Sequence, residues 1–204
     1  HLERAFDGQN QWWKYVVMVV VTLVVAQTIG SIPLVALFII KNIQNGNPIG
    51  SGADMMDFEA MGISSNTGLV LMLIPFVFSL LAFVLLIKPL HKRTFAQTIN
   101  GTSTIRWHRF FVGLMVWGAI MALFLLVSYY LTPENFTLNL QWGKFIPLII
   151  ISLLLLPIQT AYEEVLFRGY LAQGVAGWTR QRWLALLIPS VLFALMHILN
   201  PEVA

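Results

Sequence analysis

Five long runs of uncharged, mostly apolar residues restrict how this sequence can fold. They cover residues 15–40, 67–87, 110–131, 145–162 and 183–199. A helix that crosses the hydrocarbon core of a bilayer needs about 20 apolar residues, and each run meets or approaches that length. The fold class is therefore predicted to be all-α, as a polytopic bundle of transmembrane helices with five visible spans.

The composition agrees with a membrane protein and excludes other classes. Hydrophobic residues make up 58% of the chain and charged residues only 10%, whereas soluble domains carry about 25% charged residues. The net charge of +3 is too small and too dispersed to indicate nucleic-acid binding. Membrane lipid is therefore the expected partner, and nucleic acid is not. The absence of cysteine excludes disulfides and thiolate metal sites.

The charges of the connecting segments predict an orientation. Residues 88–109 contain Lys and Arg but no acid, and residues 174–182 contain two arginines. Residues 41–66 are mainly acidic, and residues 132–144 are nearly neutral. Because basic loops stay on the cytoplasmic side, the first two segments are predicted to be cytoplasmic and the last two external. Five spans then start from a cytoplasmic N-terminus.

Prolines and glycines predict where the helices bend and end. Pro33 is expected to kink the first helix, because a proline removes a backbone hydrogen bond inside a helix. The fourth helix is expected to continue past its apolar run, from about residue 145 to about Gln173. Gly174 and Gly177 are the first good terminators after it.

Two adjacent glutamates and an arginine follow the fourth apolar run at membrane depth. Glu164 and Arg168 are four residues apart with the acid first, which favours an ion pair. Such pairing offsets a cost of at least ~2.5–3.5 kcal/mol for a charge in hydrocarbon, so these two residues have a structural explanation. Glu163 has no sequence-local cation, and an intramembrane carboxylate without a partner indicates a functional site.

The fifth run supplies a possible partner for Glu163. If helices four and five form an antiparallel hairpin, Glu163 lies about 16 Å and His197 about 21 Å from the turn between them. Phe193 shares a helical face with His197. A lone histidine in an apolar helix is more often structural than functional, so it is the agreement in depth that indicates a site.

The two motifs together resemble a known family. Residues 163–168 read E-E-x-x-x-R, and residues 193–197 read F-x-x-x-H. This combination is similar to the CPBP (Abi) family of intramembrane proteases, which includes the type II CAAX prenyl endopeptidases. On this resemblance, residues 145–204 form a catalytic helical hairpin, and residues 1–144 form N-terminal helices 1–3 with their loops.

The resemblance implies a role for each site residue. Glu163 would activate a water for attack on a peptide carbonyl, and His197 would help to hold that water. Glu164 would assist, fixed by Arg168, and Phe193 would line the cavity. The expected substrates are peptides or prenylated peptides with CAAX-like C-termini. The resemblance leaves open whether a divalent metal such as zinc takes part. Its ligands would be Glu163, Glu164 and His197, although the H-E-x-x-H arrangement is absent.

One family feature is missing from the sequence. A third motif, H-x-x-x-N or H-x-x-x-D, is expected on a later helix, but here Asn200 follows His197 at i+3. The third motif and further helices are therefore expected after Ala204, which leaves the hairpin incomplete. The resemblance also implies a bacterial plasma membrane protein whose site opens toward the cytoplasm.

Two other functions were compatible with these residues. A non-enzymatic bacteriocin-immunity or scaffold protein could keep the cavity without catalysis, as the missing third motif allows. A proton-coupled transporter could use Glu163 as its titrating group, but the sequence has no internal repeat of the kind that such transporters show.

Overall fold

The computed structural model describes residues 2–46, 55, 57–100 and 104–198, and every regular element in them is helical. Two π-helical segments, Ala26–Gly30 and Val165–Leu171, continue the helices that precede them. The predicted all-α class is confirmed over the described residues. In chain order the α-helices are α1 (Trp12–Val25), α2 (Ile32–Gln44), α3 (Ser65–His91), α4 (Phe95–Asn100), α5 (Trp107–Leu131), α6 (Trp142–Glu164), α7 (Ala172–Thr179) and α8 (Arg182–His197).

The chain is an integral membrane protein with several spans. Four continuous helical stretches are long and apolar enough to cross a membrane, and they are Trp12–Gln44, Ser65–His91, Trp107–Leu131 and Trp142–Thr179. These match the first four predicted runs. The fifth run corresponds to α8, which is apolar but only 16 residues long. Helix α5 buries none of its residues, and an apolar surface exposed on all sides suits contact with lipid.

The first stretch is irregular directly before Pro33, as the sequence predicted. The π-helical segment Ala26–Gly30 lies there, and Pro33 falls in the first turn of α2. A proline at this position has no N–H for the carbonyl of Ile29 and its ring clashes with that carbonyl, so the α-helical register fails. The segment also packs closely on α3, since a Cβ on Gly30 would lie 2.6 Å from the Cα of Pro75.

The fourth stretch, Trp142–Thr179, runs further than predicted. Gly174 and Gly177 lie within α7 and do not end it, so the prediction of a stop at these glycines is wrong. The helix ends where Arg180 takes the left-handed conformation, with φ of 55°. Gly174 instead permits close packing, because a Cβ here would lie 2.6 Å from the Tyr15 ring of α1.

The main core lies where α1, α3 and the junction of α6 with Val165–Leu171 meet. Polar groups add to it: the Tyr162 hydroxyl donates to Thr22 Oγ1 at 2.9 Å, and Ser79 donates to the Thr22 carbonyl at 3.2 Å. The helix is thus fixed to α1 and α3 directly before the adjacent glutamates. The buried apolar residues are Tyr15, Met18, Phe83, Ile87, Tyr162, Val165, Leu166, Phe167 and Tyr170.

This core draws on both predicted parts of the chain. The part up to residue 144 contributes α1 and α3, and the part from residue 145 contributes the rest of α6 and the π-helical segment. The boundary between residues 144 and 145 stays a prediction.

Candidate active site at a helix irregularity

The two adjacent carboxylates lie where the fourth helix changes from α to π geometry. Glu163 and Glu164 are the last residues of α6, and Val165–Leu171 follows. Such π-helical turns are rare and occur frequently at functional sites. The Arg168 guanidinium donates to Glu164, which confirms the predicted ion pair. The two side chains are 68% and 50% exposed, so the pair contributes little to stability.

Glu163 is half-buried and has a partner that the sequence analysis missed. Gln159, one turn earlier, donates its Nε2–H to Glu163 Oε1 at 3.4 Å. Gln159 and Glu163 have the same i, i+4 spacing as Glu164 and Arg168. The spacing therefore predicts this hydrogen bond too, once amides are counted as donors beside the cations. A neutral amide orients the carboxylate without supplying a charge.

His197 is half-buried near the end of α8, and a hydrogen bond of its ring to the backbone indicates its tautomer. The Nδ1 atom lies 2.8 Å from the carbonyl oxygen of Phe193. A carbonyl can only accept, so Nδ1 carries the hydrogen and donates it. In the neutral ring Nε2 then has a free lone pair, which can accept a hydrogen bond from water.

Aromatic contacts connect the histidine to the π-helical segment. The ring centroids of Phe193 and His197 are 4.3 Å apart, which confirms that these two residues share a face. The Phe193 ring also lies 5.3 Å from the ring of Phe167 in an edge-to-face arrangement. Helix α8 therefore packs against Val165–Leu171 at the level of its histidine.

In the described part of the chain, the acids and the histidine lie on neighbouring elements and are not joined by an ion pair. Within the described residues, no hydrogen bond joins Glu163 to His197. No three His, Asp or Glu side chains in this part of the chain are grouped so that they could hold a metal ion. Glu163, Glu164 and His197 thus do not fit a metal centre in this arrangement, and a divalent metal stays a prediction. Asn200 lies outside the described residues.

Two cavities flank the π-helical segment. One has a volume of about 460 Å³, lies between α1, Val165–Leu171 and α8, and has almost completely apolar walls that include Val19, Leu166, Phe167, Leu192 and Met196. The other has a volume of about 270 Å³ and is lined by Ile99, Glu164, Val165, Arg168 and Gly169. The ion pair thus borders a small cavity with mixed polar and apolar walls, whereas the cavity toward α8 is apolar.

A buried polar cluster behind the π-helical segment was not predicted. By sequence Arg93 is one of the basic residues of the connecting segment 88–109, which is predicted to be cytoplasmic. In the structure Arg93 is only 1% exposed. Its Nη1 donates to Gln173 Oε1 at 2.9 Å, and its Nε donates to the Asp7 carbonyl at 2.6 Å. Internal acceptors thus replace water around this guanidinium, which explains how the charge is tolerated.

His91 and Tyr170, both 0% exposed, form the second half of the cluster. His91 Nδ1 donates to the Gln9 carbonyl at 2.7 Å, and its Nε2 lies 2.7 Å from the Tyr170 hydroxyl. The same hydroxyl is 3.2 Å from the Lys14 carbonyl oxygen. We use the name buried latch for the four side chains of Arg93, Gln173, His91 and Tyr170.

Comparison with known proteins agrees with the resemblance of the two motifs. Residues 142–204 match the family described as Rce1-like, type II CAAX prenyl endopeptidase. The chain is also similar to the uncharacterized protein YyaK of Bacillus subtilis (strain 168), with 28% identity over 200 residues. That alignment covers 98% of this chain and 65% of YyaK, so the chain spans slightly less than two thirds of this relative. No solved structure matches the chain.

Proposed function

We propose that the chain is an intramembrane endopeptidase, because residues 142–204 match the Rce1-like family of type II CAAX prenyl endopeptidases. The observation that carries the proposal is the family match itself, since it covers both helices that hold the acids and the histidine. Glu163 is the proposed general base. Its half-buried carboxylate is oriented by Gln159, and among the described residues no cation pairs with it and competes with a reacting water.

The proposed reaction is the hydrolysis of a peptide bond. Glu163 takes a proton from a water molecule while the water oxygen attacks the substrate carbonyl carbon. The C–N bond then breaks, and the protonated carboxyl gives its proton to the leaving amine. His197 Nε2 accepts a hydrogen bond from the same water, because Nδ1 is already occupied by the Phe193 carbonyl.

The remaining site residues support this reaction. Glu164 borders the cavity of about 270 Å³ and is held in place by Arg168. Phe193 orients the histidine ring through its direct contact and separates it from Phe167. None of these steps requires a metal ion.

We assign peptides or prenylated CAAX-like C-termini as the substrates. The apolar cavity of about 460 Å³ beside α8 is suited to the hydrocarbon part of a lipid-modified peptide. Such a substrate would reach the cavity laterally from the surrounding lipid. We propose a bacterial plasma membrane as its location. The N-terminus and the mouth of the site are proposed to lie on the cytoplasmic side, because the basic segments favour that orientation.

The test replaces the base in the full-length protein. Glu163→Gln is expected to lower cleavage of a reporter peptide by at least about 10²-fold, the usual contribution of a general base, with unchanged expression. Glu134→Gln, at an exposed position far along the chain, is the matched control and should cleave normally. Full proteolysis by Glu163→Gln would disprove the assignment.

A second candidate is a non-enzymatic bacteriocin-immunity or scaffold protein. It is favoured by one observation, the lack of a hydrogen bond between Glu163 and His197 in the described part of the chain. The two candidates differ in an immunity assay with both residues replaced by alanine. Immunity that survives the double replacement supports the non-enzymatic protein, and immunity that is lost supports the protease.

A further inference from the structure

The π-helical segment Val165–Leu171 connects both sides of the proposed site. Its Arg168 holds the second glutamate across the α-to-π junction. Its Phe167 contacts Phe193, whose ring lies against His197. A displacement of this segment would therefore change the acidic side and the histidine side of the site together.

Contacts with distant parts of the chain hold this segment from behind. The hydroxyl of Tyr170 lies 2.7 Å from His91 Nε2, 79 residues away in sequence. Gly169 packs directly on the backbone of α4, since a Cβ there would be 3.1 Å from the carbonyl oxygen of Thr98. Because π-helical turns are unusual in an isolated helix, these contacts are the natural source of their stability here.

Gln173 fixes the helix directly after the segment. Its Oε1 accepts from Arg93 at 2.9 Å, and its Nε2 donates to the carbonyls of Gln97 at 3.1 Å and Thr98 at 3.2 Å. The side chain is 0% exposed. Rotation of the helix about its axis would leave these buried groups without partners, which is costly away from water. The rotational position of the helix is thus set by polar contacts rather than by apolar packing alone.

We propose that the buried latch of Arg93, Gln173, His91 and Tyr170 positions the π-helical segment and thereby aligns the acids with His197 for peptide hydrolysis. The catalytic part of this proposal rests on the proposed function. The four side chains are positioning residues, because they face the N-terminal segment and α4 instead of the two cavities.

Two conservative variants in the full-length protein test the latch. Tyr170→Phe removes the hydroxyl but keeps the ring, which stacks on Tyr15 with centroids 4.5 Å apart. Gln173→Met keeps the side-chain length and removes the hydrogen bonds to Arg93, Gln97 and Thr98. The matched controls are Tyr129→Phe on α5 and Gln44→Met at the end of α2, both at exposed positions.

The measurements are hydrogen–deuterium exchange of residues 165–171 in nanodiscs and the separate kinetic constants for one reporter peptide. Both latch variants are expected to exchange faster in this segment, with unchanged exchange in α5, which contributes no residue to the latch. Their kcat should fall on the order of 10- to 100-fold, because small misplacements of reacting groups cost that much, while KM stays nearly constant. The controls should match the wild-type protein in both measurements.

The outcomes separate the latch from the proposed function. Faster exchange with normal kcat, or lower kcat with normal exchange, overturns the positioning role. A wild-type protein that cleaves no peptide overturns the proposed function, and the exchange data then decide alone whether the latch holds the segment. If Gln173→Met does not fold, Tyr170→Phe decides, since it creates the smaller change.

Discussion

The two adjacent glutamates differ in their partners, and this difference separates their roles. Glu164 has a cation in Arg168 and lies at the surface. Glu163 is half-buried, and its hydrogen-bond partner among the described residues is the amide of Gln159. A paired carboxylate is a poor proton acceptor, whereas an oriented and unpaired one keeps its lone pairs for a reacting water. Successive residues of a helix point in directions about 100° apart, so adjacent glutamates can face a partly buried and an exposed environment.

Replacing Gln159 with leucine tests the orienting hydrogen bond. The change is expected to lower kcat by about 2- to 10-fold, which corresponds to the ~0.5–1.5 kcal/mol of a typical hydrogen bond. Expression should be normal because the side chain is only partly buried. Steady-state kinetics of Gln159→Leu beside Gln44→Leu, an exposed control, provide the measurement. Equal kcat values for the two variants would show that the amide does not orient the base.

Residue contacts could be predicted from the sequence only where they are local. The Glu164–Arg168 and Phe193–His197 pairs are each four residues apart, so helical periodicity alone connects them. The contact between Arg93 and Gln173 spans 80 residues. No periodic pattern reports on such a pair, and Arg93 therefore looked like an ordinary loop cation.

At the scale of helices, apolar length predicted the spans but not the irregularity at the site. The disturbance before Pro33 was predicted because a proline acts on its own backbone. The π-helical segment Val165–Leu171 has no proline, and it depends on contacts with α3 and α4 that the sequence does not show. Gly174 was mistaken for a helix end for the same reason, since its packing partner is in α1.

The packing role of Gly174 predicts an unfavourable effect of a single methyl group. Gly174→Ala is expected to lower the free energy of unfolding by about 1–3 kcal/mol through overpacking against Tyr15. Gly113→Ala on α5 has no atom within 4 Å of the added Cβ, so it should be neutral or stabilising by up to about 1 kcal/mol. Thermal unfolding of both variants in one detergent compares them. Equal stabilities would contradict the close α1–α7 contact.

At the scale of the whole molecule, the orientation in the membrane can be tested with single cysteines, because the chain has 0 cysteines of its own. Arg106 and Glu134 are exposed and lie beyond opposite ends of α5. An impermeant maleimide is expected to label Glu134→Cys on intact cells and Arg106→Cys only after permeabilisation. The reverse labelling pattern would invert the topology and place the site on the external side.

The helix that carries the acids is longer than a bilayer is thick. Trp142–Thr179 has 38 residues, which extend about 57 Å against a hydrocarbon core of about 30 Å. With Trp142 at one boundary and little tilt, Glu163 lies about 32 Å further along the axis, at the opposite boundary. A base at this depth meets the hydrated headgroup layer. Its reactant water would then come directly from that layer, and hydrolysis would need no aqueous channel through the lipid.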